Sequence, residues 1–319
     1  MTFEHISVLS DELTRELNIN EGSTIVDCTG GGGGHAKLIL DALGPSGRLI
    51  AFDRDEQARS HLKTKFAAEI TAGRFVLIGS AYSQLTAELE KHKVASVDGI
   101  CADIGISSPQ IDLPERGFSF QASGPLDMRM DRNQELSAKK MVNEFEFSEL
   151  KKIIYELGEE PKAHFIAQAI CAARDKAPIT DTLHLAQIVK DAVHYKTKSR
   201  KHPATKTFQA LRIYVNDELG ELERLLADGF ELLNSGGRLA VITFHSLEDK
   251  IVKTSFKRLG QGKKLPSHVT RSPLTEDQLK SLQDIRAKII KPFPINPSQK
   301  ELDFNPRARS AKLRVIEKL

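Results

Sequence analysis

Five consecutive glycines, Gly30 to Gly34, lie within the stretch DCTGGGGGH at 27–35. Each glycine loses more backbone entropy on folding than any other residue, so such a run is costly unless the backbone turns tightly or approaches another group closely. The run follows the apolar, β-rich STIVDCT (23–29) and precedes HAKLILDAL, whose apolar residues recur at helical spacing. We therefore predict a strand, a glycine turn and a helix, although a merely flexible glycine loop is the simpler alternative.

The same strand-then-helix pattern recurs along the first hundred residues. RLIAFD (48–53) precedes the helical DEQARSHLKTKFAAEI, and FVLIG (75–79) and VDGICADI (97–104) continue the alternation. Alternating strands and helices predict an α/β fold, with a parallel sheet that helices cover on both faces. Open sheets of this kind bind ligands at the carboxyl ends of their strands, which is where the glycine turn lies.

The β signal disappears between about Leu113 and Thr205. Three segments there, LKKIIYELG, AHFIAQAICAARD and LHLAQIVKDAV, have the apolar spacing of amphipathic helices. A single long helix over roughly 207–233 and the strands RLAVITF, AKIIKPF and AKLRVIEK then restore the α/β pattern. We predict an α/β domain in two parts, 1–112 and 206–319, interrupted by a helical insertion at 113–205.

Composition limits the cellular location and the cofactor chemistry. The 319 residues include three cysteines, Cys28, Cys101 and Cys171, without paired spacing, so neither a disulfide framework nor a zinc site is predicted and a reducing cytoplasm fits best. No histidine, cysteine and carboxylate cluster has metal-ligand spacing, and no apolar run reaches membrane-spanning length. The net charge of +3 is too small to indicate a nucleic-acid partner by itself.

The residues around the glycine turn favour an adenosine-containing ligand. A dinucleotide fingerprint needs a glycine where this chain has His35, which disfavours a nicotinamide cofactor. Asp53 ends the second predicted strand about twenty residues further on, where an acid accepts hydrogen bonds from ribose hydroxyls. The alternative is a surface Asp at the start of the next helix, although Asp55 could itself be that helix cap. A polar cluster, DIGISSPQ at 103–110, follows the fourth strand and is either part of the site or a turn rich in caps.

Several motifs in order carry a family resemblance that spans nearly the whole chain. DCTGGGGGHA, AFDRD, ADIGISSPQID, RGFSF with GPLDMRMD, FQALRIYVNDEL, FHSLEDKIVK and NPRARSAKLR resemble the bacterial 16S rRNA cytosine-N4 methyltransferases, the RsmH/MraW family. The resemblance implies a Rossmann-like domain dependent on S-adenosylmethionine (SAM), with an inserted helical domain that recognises substrate. It also implies that the substrate is 16S rRNA or the small ribosomal subunit, with a cytidine of the decoding centre as target. The cofactor contacts that it implies are Gly33, Gly34, His35, Asp53, Tyr82, Asp103 and Gln110. Tyr82 stands where many relatives have Phe, and Thr29 stands where methyltransferases usually have the first glycine of this motif.

Methylation of an exocyclic amine requires alignment and a proton acceptor, because the lone pair of that amine is delocalised into the ring. Asp103 is the first candidate, and Asp127 and Asp131 in GPLDMRMD compete with it. Those two acids could equally form salt bridges with Arg129 and Arg132.

Other motifs have a structural as well as a functional interpretation. His5 and His245 lie in family-like segments, but a lone histidine near a strand end is more often structural than a general base. The phenylalanines of RGFSF could stack on a displaced base, whereas a helical insertion also needs an aromatic core.

A basic segment, YKTKSRKHPATK, contains Lys198, Arg200 and Lys201 and is predicted to contact rRNA phosphates, with a solvated loop as the alternative. Two other functional classes remain open. A SAM enzyme for a small molecule would not need this segment, and a non-catalytic RNA-binding assembly factor would not turn over SAM.

Overall fold

A computed structural model describes residues 7–193, 202–263, 275, 278 and 282–319. The chain divides into two compact units, which we call the sheet unit (Met1–Gly105 with Leu219–Leu319) and the helical unit (Ile106–Glu218). The predicted insertion was 113–205, so the observed helical unit extends further at both ends.

In the described ranges the sheet unit contains one seven-stranded sheet. The strands are β1 Thr24–Asp27, β2 Arg48–Phe52, β3 Phe75–Ile78, β4 Val97–Asp103, β5 Leu233–Thr243, β6 Ala287–Ile289 and β7 Lys312–Lys318. Their order across the sheet is β3-β2-β1-β4-β5-β7-β6. The neighbours from β3 to β5 are all parallel, so the predicted α/β class is confirmed.

The sheet departs from the predicted parallel arrangement at one edge only. Strand β7 runs antiparallel to both β5 and β6. Four consecutive residues of β7, Leu313 to Ile316, are buried, as expected of a strand covered on both faces. This burial pattern is the same for either strand direction, so the sequence pattern could not reveal the reversal.

The helices of the described ranges are numbered along the chain. They are α1 Ser10–Glu16, α2 Gly34–Leu43, α3 Glu56–Lys65, α4 Ala67–Thr71, α5 Leu85–Lys91, α6 Ser108–Asp112, α7 Ala138–Glu144, α8 Phe147–Glu156, α9 Ala163–Arg174, α10 Thr182–Ala192, α11 Thr205–Val215, α12 Glu218–Leu232, α13 Ser246–Gln261 and α14 Gln299–Phe304. Short 3₁₀ turns occur at Tyr82–Gln84, Pro114–Arg116 and Pro306–Ser310. Among these described helices, none combines the length and the apolar character that a membrane span requires.

Helices cover both faces of the sheet, as predicted. Successive residues of β1 point to opposite faces, so Ile25 packs with one core cluster and Val26 with the other. The Ile25 cluster includes buried residues of α1, α2 and α3, and the Val26 cluster includes buried residues of α5, α12 and α13. The carboxyl ends of the parallel strands therefore belong to a sheet that is held in place by packed helices on both faces.

The helical unit has a core of its own, built by α7 to α11. The three helices predicted in this region correspond to α8, α9 and α10, each with a buried apolar stripe. The single helix predicted over 207–233 is wrong, because α11 ends at Val215 and Asp217 has a positive φ of 48°. Buried Asn216 explains the break. Its side chain donates to the Met128 carbonyl at 2.8 Å and accepts from the Met130 amide at 2.8 Å, so it supports a distant loop instead of continuing the helix.

Candidate active site

The glycine turn joins the end of β1 to the start of α2. The Gly30 amide donates to the Phe52 carbonyl at 2.9 Å, and the Gly33 amide donates to the Gly30 carbonyl at 2.8 Å. Helix α2 begins at Gly34, and its N-cap residue, Gly33, offers no side chain to the first-turn amides. Uncapped amides at a helix N-terminus carry partial positive charge and are suited to a polar or anionic ligand group.

Two of the glycines are also required by the protein's own packing. Gly33 has a φ of 70°, and a Cβ there would lie 2.7 Å from Phe66 Cε2 and 2.8 Å from Leu62 Cδ2. A Cβ on Gly34 would overlap the Ser7 hydroxyl. The glycine run therefore lets side chains of the protein itself, in addition to any ligand, approach the backbone closely.

Asp53 lies directly after β2 and fixes the glycine turn. Its two carboxylate oxygens accept hydrogen bonds from the backbone amides of Gly31 and Asp55, both at 2.8 Å. Loss of solvent raises the pKa of Asp53 to about 6 in spite of these two bonds. The N-cap of α3 is Asp55, whose side chain accepts from the Gln57 amide. The helix-cap alternative therefore applies to Asp55, whereas a ribose contact by Asp53 stays a prediction.

Asp103 ends β4 beside the same turn. Its amide donates to the Thr29 hydroxyl at 2.7 Å, and its Oδ2 atom lies 3.8 Å from Nδ1 of His35. Its other oxygen, Oδ1, is buried and has no hydrogen-bond partner among the described residues. Burial raises the pKa of Asp103 to about 6, the nearby charge of His35 lowers it, and Asp27 raises it further. A buried carboxylate oxygen without a partner is costly and marks a group poised for an incoming donor.

Two residues of this site were missed by the sequence analysis. Thr29 was noted only for replacing a glycine, yet its hydroxyl accepts from the Asp103 amide and lies 3.4 Å from Oδ1 of Asp27. Asp27 itself is buried, its Oδ1 accepts from the Thr29 amide at 3.0 Å, and burial raises its pKa. The available signal was that β1, like β2 and β4, is followed or ended by an acid.

Tyr82 and His245 also belong to the sheet unit. Tyr82 begins the 3₁₀ turn after β3 and packs against the core on one face of the sheet. His245 is the N-cap of α13, where its Nδ1 accepts from the Glu248 amide at 3.5 Å and its own amide donates to the buried Glu248 carboxylate at 3.2 Å. This reciprocal pair gives His245 a structural task. His5 lies outside the described residues.

The remaining candidates belong to the helical unit and are described within it. Gln110 forms a capping box on α6, in which its side-chain oxygen accepts from the Ser107 amide at 3.0 Å. Asp127 pairs with Arg129 through two bonds, of 2.6 and 3.1 Å, and its Oδ2 lies 3.7 Å from Arg132 Nε. Burial alone would raise the pKa of Asp127, but the hydrogen bonds and charge of Arg129 outweigh it and hold that pKa below its usual value.

The phenylalanines of RGFSF pack inside the helical unit. Phe118 is buried in its core, and the ring centroid of Phe120 lies 4.8 Å from that of Phe208. This packing is the core alternative of the sequence analysis. Lys198, Arg200 and Lys201 lie outside the described residues.

Comparison with known proteins places this arrangement in a family. The model of the MraW methylase family matches residues 2–319, which is nearly the whole chain. The chain belongs to the MraW methylase family. The resemblance to the RsmH/MraW family is thereby confirmed, and the methylase is an S-adenosylmethionine-dependent methyltransferase whose class of reaction is rRNA methylation.

The methylase is also similar to solved structures at low sequence identity. An rRNA methylase from Streptococcus thermophilus is 12% identical, with 100% of this chain and 99% of that chain covered and a TM-score of 0.38. Fibrillarin from Aeropyrum pernix, solved with natively bound S-adenosyl-L-methionine, is 12% identical, with 93% and 67% covered and a TM-score of 0.36.

The residues of the methylase fit the cofactor of its family. The turn offers uncapped amides at the start of α2, and the neighbouring strand ends offer the carboxylates of Asp53 and Asp103. S-adenosylmethionine carries ribose hydroxyls, which need acceptors, and a positively charged sulfonium, which buried acids stabilise.

Proposed function

We propose that the methylase transfers the methyl group of S-adenosylmethionine to the N4 exocyclic amine of a decoding-centre cytidine in 16S rRNA. The observation that carries this proposal is the buried Oδ1 of Asp103 at the end of β4, beside the glycine turn, which has no hydrogen-bond partner in the part of the chain that the structure describes. An amine that is being methylated must lose a proton, and a fixed carboxylate oxygen without a hydrogen bond is suited to receive it. The small ribosomal subunit or its rRNA is the proposed partner, and the cytoplasm is the proposed location.

Residues of the sheet unit are assigned to cofactor binding and to proton transfer. S-adenosylmethionine supplies a methyl group activated by the sulfonium. Asp53, together with Gly33 and Gly34 of the glycine turn, holds the cofactor, and Tyr82 contributes an aromatic face. Asp103 orients the amine and accepts its proton, so positioning and proton transfer are combined in one side chain.

The helical unit is proposed to recognise the substrate. Gln110 is assigned to the cofactor by the family resemblance, and Asp127 remains the alternative proton acceptor. The ion pair of Asp127 with Arg129 argues for Asp103 instead, since a carboxylate that already accepts two guanidinium bonds is a weak base.

Nucleoside mass spectrometry of small-subunit rRNA tests the proposal. Subunits from cells that lack the gene are incubated with S-adenosylmethionine and either the wild-type chain or Asp103→Asn. N4-methylcytidine is expected with the wild type only. No methylated nucleoside, together with no heat of S-adenosylmethionine binding in calorimetry, would favour the non-catalytic assembly factor. A methylated small molecule in place of rRNA would favour a SAM-dependent enzyme that acts on a small molecule.

Contact with rRNA is proposed for Lys198, Arg200 and Lys201. Replacing all three by Ala is expected to weaken binding to small subunits and to flatten the slope of log affinity against log salt by roughly 1 to 3 units, because up to three phosphate contacts are lost. Affinity for S-adenosylmethionine serves as the control and is expected to stay unchanged. An identical salt slope in the folded triple variant would identify this segment as solvated surface.

A further inference from the structure

His35 is a buried histidine whose tautomer is fixed by its surroundings. Its Nε2 atom lies 2.9 Å from the carbonyl oxygen of Val8, and the ring is only 6% exposed. A carbonyl oxygen can only accept a hydrogen bond, so Nε2 must carry a hydrogen. In the neutral ring the other nitrogen, Nδ1, therefore presents a lone pair, and Nδ1 is the atom that lies 3.8 Å from Oδ2 of Asp103.

A lone pair on Nδ1 and an ionised carboxylate repel each other at this distance. One proton between them removes the repulsion, whether it is drawn on the carboxyl of Asp103 or on the imidazole of His35. Both placements of the proton give the same net charge, and protonation of either group changes the charge that the other faces 3.8 Å away, so the two groups are electrostatically coupled.

The other charged groups described around this pair are acids. Asp27 on β1 and Glu248 on α13 act on Asp103, and both raise its pKa. Glu301 on α14 faces His35, accepts from the Leu9 amide at 2.8 Å and has a pKa that burial raises. His35 is the one described group that lowers the pKa of Asp103, so it keeps the carboxylate available near neutral pH.

We propose that Asp103 and His35 share a single proton and act together as the acceptor for the proton that leaves the methylated amine. This inference rests on the proposed function, since it needs an amine as methyl acceptor. In proton transfer, His35 acts through Asp103 and is a positioning residue. This role goes beyond the cofactor contact that the family resemblance implies for His35.

The lone pair of the amine nitrogen forms the new bond to the methyl carbon, and the electron pair of the breaking carbon–sulfur bond returns to sulfur. The N–H bond then breaks with its electrons kept by nitrogen, and the proton passes to Oδ1 of Asp103. The pair holds one proton more than before, and solvent removes it after the products leave.

A titration of the free protein tests the shared proton without any substrate. The ring nitrogens of ¹⁵N-labelled histidine are followed by NMR between pH 4.5 and 8.5 in the wild type and in Asp103→Asn. We expect the His35 ring to carry its hydrogen on Nε2 at high pH, and its ¹⁵N signals to change over a lower pH range in the variant, which lacks the negative partner. A hydrogen on Nδ1, or an unchanged pH range, would overturn the proposal.

Single-turnover rates against pH test whether catalysis uses the pair. His35→Gln keeps an amide N–H for the Val8 carbonyl but cannot titrate. At saturating S-adenosylmethionine and with undermethylated small subunits, we expect the midpoint of its acid limb to move up by about one unit, because Asp103 loses the charge that lowers its pKa. The control is His61→Gln, which changes an exposed histidine of α3 and should leave that midpoint unchanged.

A uniformly lower rate with an unmoved midpoint in His35→Gln would show a purely structural histidine and would overturn the inference. If the wild type transfers no methyl group to subunits, the proposed function fails, and the NMR titration still decides whether the proton is shared. If His35→Gln does not fold, the NMR titration still tests the proposal, because it uses only the wild type and Asp103→Asn.

Discussion

Asp103→Asn is expected to make the folded methylase more stable at pH 8 while it removes activity. The pKa of Asp103 is raised from 3.8 to about 6, with burial as the largest cause. A carboxyl whose pKa is higher in the folded chain favours folding while it is protonated. Its contribution is complete below about pH 4 and is lost as the pH rises through 6.

The size of the effect follows from this shift. About two pKa units at roughly 1.4 kcal/mol each give an upper limit near 3 kcal/mol. Only 20% of the Asp103 side chain is exposed, so solvent screens little of this cost. Asn has nearly the same shape without the charge, and among the residues that the structure describes Oδ1 has no hydrogen bond to lose. We expect a gain of about 1 to 3 kcal/mol at pH 8 and roughly a third of that gain at pH 4.5, where the unfolded carboxyl is already mostly ionised.

Asp53→Asn is the matched control because the pKa of Asp53 is also about 6. Both oxygens of Asp53 accept backbone amides, from Gly31 and Asp55. The Asn side chain has one accepting oxygen, so its NH₂ group would face one of these donors. The lost bond, worth about 1 to 3 kcal/mol when a buried donor is left without a partner, offsets the gain from removing the charge.

Urea unfolding at pH 4.5 and pH 8 measures these differences. Far-UV circular dichroism is the suitable signal, since the chain has no tryptophan. The reasoning is refuted if Asp103→Asn is less stable than the wild type at pH 8, or if the difference is the same at both pH values. An equal gain in Asp53→Asn would show that hydrogen bonding does not distinguish the two acids.

Three further substitutions test other parts of the site. Gly33→Ala should weaken cofactor binding at least tenfold in calorimetry, because the positive φ and the close neighbours displace the turn; unchanged affinity would remove the turn from the site. Thr29→Val should cost about 1 to 2 kcal/mol in urea unfolding by leaving the Asp103 amide without its acceptor, whereas Thr29→Ser, which keeps the hydroxyl, should cost less. Asp127→Asn should lower the free energy of unfolding at pH 7 by about 1 kcal/mol, because the ion pair with Arg129 is lost. The pKa of Asp127 is lowered in the folded chain, so this difference disappears as the pH falls below 4. A hundredfold fall in its single-turnover rate would instead make Asp127 the proton acceptor.

Local patterns in the sequence were enough to predict much of the fold. Strands β1 to β4 and the helices between them follow from apolar spacing and from the glycine stop, because each depends on residues close in sequence. The reversed strand β7 and the break at Asn216 depend on distant partners. Asn216 is more than eighty residues from the loop that it supports, and apolar periodicity carries no information about that contact.

The site divides in the same way. The positions of Asp53 and Asp103 at strand ends could be predicted because each comes at the end of an apolar run, whereas their contacts with a ligand stay predictions. The hydrogen bond that Thr29 accepts could not be predicted, since its donor, the Asp103 amide, lies 74 residues away. The tautomer of His35 likewise depends on the Val8 carbonyl, which only the folded chain brings within hydrogen-bond distance.

Three adjacent parallel strands, in the order β2-β1-β4, end in or are followed by Asp53, Asp27 and Asp103. Burial raises the pKa of all three, so the folded chain holds their charges at a cost. Asp53 and Asp27 recover part of this cost by accepting backbone amides, whereas Oδ1 of Asp103 has no hydrogen-bond partner among the described residues. Ribose hydroxyls, a cationic sulfonium and an amine about to lose a proton are each stabilised by a carboxylate. The proposed binding of S-adenosylmethionine and an amine at these strand ends would offset the remaining cost, most of all at Asp103.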